Sequence, residues 1–142
     1  MPTGSPEATF DLTVSRSINA SPQAVFRAWT DPQQFRRWFE PTQLIMHPEK
    51  NDLYFIEVQW EGRSWAHYGR YLQIEAPRLL KFTWMSEATE GRDTVVTVEL
   101  SSRDGKRTDV RLTHVGIPDN QLGRGHEEGW KQGLANLAKT VE

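Results

Sequence analysis

The sequence predicts an α+β fold, a curved antiparallel sheet wrapped around a long C-terminal helix, with two short helices after the first strand. Three observations carry this. Bulky apolar residues near the C-terminus recur at spacings of three and four. The stretch from Thr42 to Val115 is mostly of period two. Between the first strand and that stretch, two helix-start signals follow each other in quick succession.

A chain of 142 residues is long enough to bury one core without disulfides or a structural metal, and it contains no cysteine. With 17 Lys and Arg against 19 Asp and Glu, the formal charge is -2 and no global pull toward nucleic acid or an anionic membrane is expected. No run approaches the roughly 20 apolar residues of a membrane span, and the N-terminus lacks an apolar signal core, so a cytoplasmic location is expected.

Residues 1–7 hold two prolines, a glycine and little apolar surface, and are expected to form a disordered leader to a single domain over residues 8–142. Thr9 to Ile18 alternates, with Phe10, Leu12, Val14 and Ile18 on one face, which predicts a half-buried strand. Arg16 falls on the apolar parity. It must pair inside the fold, snorkel to an edge or anchor an anion, and structural pairing is the expectation.

Ser21 before Pro22 supplies an N-cap and a first-turn proline for a helix carrying Val25, Phe26 and Trp29 and ending near Thr30. Asp31 before Pro32, with Gln34 three residues after Asp31, reads as an acidic capping box for a second helix with Phe35, Trp38 and Phe39. Joined without a linker, the two form an elbow whose aromatic side chains need shelter.

Farther on, Tyr54, Ile56, Val58 and Trp60 share one face, Glu61-Gly62 offers a turn, and Trp65 to Ile74 resumes a strand. Its two faces conflict, and Gly69 is the expected site of a face-switching bulge. Leu80, Phe82 and Trp84 alternate in the next strand. After a polar loop at Glu90-Gly91, Val96, Val98 and Leu100 share a face, and Asp104-Gly105 predicts a hairpin returning Val110, Leu112 and His114.

From Asp119 to Glu142 the chain reads as one amphipathic helix. Trp130, Leu134, Leu137 and Val141 form its apolar face, with Lys131, Asn136 and Lys139 outside it. Such a face must be buried on the strands. Gly123 and Gly125 do not complete a phosphate loop and are expected to loosen the start of this helix.

An antiparallel sheet curving around one long helix leaves a gap where side chains fail to meet, a natural ligand chamber. The inward residues expected on its wall are Trp29, Trp38 and Phe39 from the elbow, and Trp130 and Leu134 from the closing helix. The strands add Tyr54, Ile56, Val58, Trp60, Phe82, Trp84, Val98, Val110 and His114. Six tryptophans suit such a lining, each bringing a large apolar body and one indole N–H. His47, His67, His114 and His126 show no metal-ligand spacing, and neither a metal nor another cofactor is expected. An inward His114 would suit general-base chemistry, but a hydrogen-bonded core histidine is the stronger expectation. No nucleophile elbow, phosphate loop, paired catalytic carboxylates or dinucleotide fingerprint appears.

The run from Arg16 to Pro41 resembles the opening of the START-like superfamily, in the branch related to the activator of heat-shock-protein-90 ATPase. The run Gly69 to Leu80 with Phe82-Thr83-Trp84, the paired strands ending at His114, and His126-Glu127-Glu128-Gly129-Trp130 agree with it. The resemblance extends from about Phe10 to the C-terminus. It implies a helix-grip fold with a deep, mostly apolar cavity under the closing helix. The superfamily spans lipid carriers, hormone receptors, aromatic polyketide cyclases, antibiotic self-resistance proteins and co-chaperone domains. Three functions therefore remain open. Non-catalytic binding of a small hydrophobic or aromatic molecule needs only the cavity and is preferred. Co-chaperone-like stimulation of a chaperone ATPase is the alternative. A cyclase would need an acid or base from Arg16, His67, His114 or nearby tyrosines.

Overall fold

A computed structural model describes residues 8–142; the expected leader, residues 1–7, lies outside the described residues. Seven strands form one antiparallel sheet: β1 (Thr9–Ile18), β2 (Gln43–Ile45), β3 (Leu53–Trp60), β4 (Arg63–Glu75), β5 (Leu79–Trp84), β6 (Thr94–Ser102) and β7 (Thr108–Pro118). Their spatial order is β1-β7-β6-β5-β4-β3-β2. Helices α1 (Pro22–Thr30) and α2 (Pro32–Phe39) follow β1, and α3 (Gln121–Val141) closes the chain. This is the expected α+β helix-grip arrangement, with the core between the sheet and the three helices.

The elbow is built by its caps. Ser21 accepts the Ala24 N–H at 3.2 Å to start α1, and Asp31 accepts the Gln33 N–H at 2.9 Å to start α2. Pro32 sits at the position whose N–H would have bonded the Ala28 carbonyl, four residues back, and proline has none to give. The indole of Trp38 supplies the missing donor, bonding the Ala28 carbonyl at 2.8 Å. Trp38 is thus a stitch between the helices as well as a core residue.

The face conflict in β4 is resolved two residues later than expected. Trp65, His67, Gly69 and Tyr71 share the inner parity, and the register shift falls between Tyr71 and Gln73, after which Ile74 pairs with Leu80. Gly69 is instead a close-approach glycine: a Cβ there would lie 2.0 Å from the Thr83 carbonyl oxygen and 2.4 Å from the Tyr54 ring. Tyr54 lies across it and donates its hydroxyl to the Thr83 carbonyl at 2.5 Å.

Other expectations are also corrected. Arg16 is exposed on edge strand β1 rather than paired in the core, because an edge strand lets a long side chain leave the sheet. Gly123 does not loosen α3: a Cβ there would lie 1.9 Å from the Pro118 carbonyl oxygen, so glycine is what allows the first turn to sit on the end of β7. The helix is capped by Asn120, which accepts the Gly123 N–H at 2.8 Å. Its buried face carries Trp130, Leu134, Leu137 and Ala138, with Val141 half-buried. No helix among the described residues is long and apolar enough to cross a membrane.

Candidate functional site

Two neighbouring regions lie beneath α3, and they differ in chemistry. The first is a polar wedge centred on His114, which is fully buried. The Trp130 indole N–H donates to His114 Nδ1 at 3.0 Å, and His114 Nε2 lies 2.6 Å from Thr94 Oγ1. An indole nitrogen can only donate, so Nδ1 must be the acceptor and the ring proton must sit on Nε2. That N–H donates to Thr94 Oγ1, whose own hydroxyl donates to the Trp84 carbonyl at 2.6 Å. One directed chain therefore ties α3 to β7, β6 and β5.

The wedge holds its histidine neutral. Burial, reinforced by His126, drives the His114 pKa from its ordinary 6.5 to about 3. Both its nitrogens are engaged, so His114 has no site left to take a proton from a substrate, and its role is that of a hydrogen-bonded core residue. His126, whose ring centroid is 5.0 Å from that of His114, engages the Gly123 carbonyl through Nδ1 at 2.9 Å, and burial lowers its pKa too. His67 lies against Trp84 with ring centroids 4.6 Å apart, and burial lowers its pKa to about 4. His47 is exposed.

The second region is apolar. A cavity of about 20 Å³ lies between the sheet and the helices. Its wall is made by Trp29 of α1, Phe35 and Phe39 of α2, Tyr54 and Ile56 of β3, Tyr71 of β4, Leu80, Phe82 and Trp84 of β5, and Trp130 of α3. The aromatic rings form a continuous mesh: Trp29 lies 6.3 Å from both Phe82 and Trp130, and Trp84 lies 5.0 Å from Trp130. Phe35 and Phe39 stack at 4.8 Å, and Phe39, only half-buried, reaches Trp84 at 6.3 Å. Burial raises the pKa values of Tyr54 and Tyr71 above the ordinary phenol range, so neither ionises near neutrality.

Polar satisfaction is incomplete here. The indole nitrogens of Trp29 and Trp84 are buried and have no hydrogen-bond partner among the described residues. The other two core tryptophans, Trp38 and Trp130, are both partnered.

Of the residues expected on the chamber wall, Trp29, Phe39, Tyr54, Ile56, Phe82, Trp84 and Trp130 line the cavity. Trp38, Val98, Val110, Leu134 and His114 are buried but stand behind that wall. Val58 is only half-buried, and Trp60 is 60% exposed. Trp60 has the inward parity, but it sits at the tip of the β3–β4 hairpin, paired with Arg63. Phe35, expected with the other elbow aromatics at the chamber mouth, also lines the cavity. Sequence reasoning missed Tyr71 and Leu80 as wall residues. Leu80 carried a signal, being apolar on a face already read as inward, whereas Tyr71 was hidden by the unresolved phase of β4.

The family model for Activator of Hsp90 ATPase homolog 1-like protein matches residues 19–142. The chain belongs to this family. No curated protein sequence matches it. Solved structures do. Protein CV1439 from Chromobacterium violaceum is 26% identical, with 93% of this chain and 96% of that one covered and a TM-score of 0.81. CalU16 from Micromonospora echinospora is 23% identical, covers 94% of this chain and 77% of its own, and superposes with a TM-score of 0.73. PFC0360w, an HSP90 activator from Plasmodium falciparum, is 21% identical over 89% of this chain and 92% of its own, with a TM-score of 0.76. At these identities the last two show a shared fold.

Proposed function

We propose that this protein binds a small hydrophobic or aromatic molecule in the space between the sheet and α3, without catalysing a reaction on it. The observation that carries this reading is the aromatic-walled void, to which all three helices and three strands contribute. At about 20 Å³ the void admits one water-sized object, so a ligand must displace part of the wall. The part suited to yield is the Phe35–Phe39 stack. It belongs to an eight-residue helix that contributes no strand hydrogen bonds, and Phe39 already reaches solvent. The satisfied His114 favours binding over proton-transfer chemistry.

The test is titration with a panel of apolar and aromatic molecules, followed by intrinsic tryptophan fluorescence and thermal melting. Contact with Trp29, Trp84 or Trp130 should change the emission, and saturating ligand should raise the melting temperature by mass action. Binding should also show a negative heat-capacity change. A panel that moves neither signal overturns the reading.

A second reading is co-chaperone-like action on a chaperone ATPase, as family membership and the Plasmodium structure suggest. The observation that favours it is a row of apolar side chains crossing the outer face of the sheet. Ile45 pairs with Phe55, and Phe55 with Tyr68; Ile45 is 60% and Tyr68 45% exposed. Stimulation of a purified chaperone's ATP hydrolysis, lost in Ile45→Lys, would support this reading over the first.

A further inference from the structure

Resting on the binding reading, we infer that the molecule taken by the cavity carries a hydrogen-bond acceptor oxygen, and that Trp29 and Trp84 select it. Both indoles line the cavity, they are only 3% and 4% exposed, and their N–H groups lack partners among the described residues. A buried donor left unpaired costs stability, and a native core normally avoids it. This core shows that it can avoid it. Trp130 is matched to His114 and Trp38 to the Ala28 carbonyl, each with good geometry, within the same aromatic mesh. A third buried indole without a partner, that of half-buried Trp65, lies outside this wall, but of the four fully buried tryptophans the two unmatched ones both fall on the wall of the void.

The two unmatched groups on the wall are of one kind. An indole N–H donates and cannot accept. The Tyr54 hydroxyl is committed to the Thr83 carbonyl, the His114 nitrogens are both engaged, and His67 Nδ1 is turned to the Ile56 carbonyl at 3.3 Å. On a wall that is otherwise apolar, the Trp29 and Trp84 N–H groups are the donors left for an occupant that displaces part of it. A ketone, quinone or ether oxygen on an apolar frame fits, because it gives these donors the acceptor they lack.

Three tricyclic probes of nearly the same size and shape separate the possibilities: fluorene, which has no polar atom; 9-fluorenone, which adds an acceptor; and carbazole, which adds an N–H donor. Their dissociation constants are measured by calorimetry with wild type, Trp29→Phe and Trp84→Phe, each variant being checked for its melting transition. Wild type should prefer fluorenone over fluorene by about fivefold to tenfold, the size of one net hydrogen bond, and fluorenone should also bind tighter than carbazole, which offers these indoles no acceptor oxygen. At least one of the two variants should bring the fluorenone-to-fluorene ratio close to one while fluorene still binds. Equal binding of fluorene and fluorenone by wild type overturns the inference and leaves the binding reading standing. A preference that survives in both variants overturns it as well. Failure of all three probes to bind wild type removes the binding reading itself.

Discussion

The wedge around His114 and the cavity beside it share Trp84 and Trp130, yet they follow opposite rules. In the wedge every polar atom of His114, Thr94 and the Trp130 indole has a partner, and the bonds run in one direction from α3 to β5. In the cavity, two of four core tryptophans keep an idle N–H and a void interrupts the packing. A satisfied buried network specifies one arrangement and stiffens it. An unsatisfied wall leaves free energy that an occupant can recover. The difference separates the part of the core that holds the helix to the sheet from the part we propose takes an occupant.

The largest test of this contrast is Trp130→Ala. It removes an indole from the junction of both regions and strands His114 Nδ1, so a loss of about 3–5 kcal/mol is expected from the volume alone. Chemical denaturation checks it, and a midpoint equal to that of wild type would refute the wedge.

Acid sharpens the same point. His114 and His67 titrate near 6.5 in the unfolded chain but at about 3 and about 4 when folded, both chiefly through burial. Over that window the unfolded state binds more protons. The stability contributed by neutral imidazoles is therefore complete above about pH 6.5 and declines as pH falls, by roughly 1.4 kcal/mol per pH unit for each histidine. The decline should end near pH 4 for His67 and near pH 3 for His114. Burial lowers the His126 pKa as well, adding to the same slope. Urea unfolding at pH 7, 5.5 and 4.5 should show it, and His114→Asn should reduce it without abolishing it.

Four equivalent substitutions then compare the tryptophans directly. Each Trp→Phe change deletes the same atoms, so the difference between sites isolates the N–H. Trp38→Phe and Trp130→Phe leave the Ala28 carbonyl and His114 Nδ1 without a donor, and should cost about 1–3 kcal/mol more than Trp29→Phe and Trp84→Phe. Equal costs at all four would mean that the satisfied and idle indoles do not differ.

The smallest effect concerns motion. Amides of Gln33–Phe39 should exchange with solvent faster than those of Val95–Glu99, which are paired on both sides by β5 and β7. Slower exchange in the elbow would argue against Phe35 and Phe39 as the yielding part of the wall.

Much of this molecule was determined by the sequence alone. Alternation set the faces of β1, β3, β5, β6 and β7, the spacing of Trp130, Leu134 and Leu137 set the buried side of α3, and Ser21-Pro22 and Asp31-Pro32 fixed the elbow, because these are local rules of period, capping and proline geometry. Parity, however, says which way a side chain points and not what covers it. Trp60 has the inward parity of Tyr54 and Ile56 but stands at a hairpin tip in solvent, and Arg16 shares the parity of Val14 but sits on an edge. The bulge after Tyr71, the roles of Gly69 and Gly123, and the matching of indole donors to acceptors depend on residues distant in the chain meeting at 2–3 Å. Only the tertiary structure could decide which tryptophans were given a partner and which were left without one.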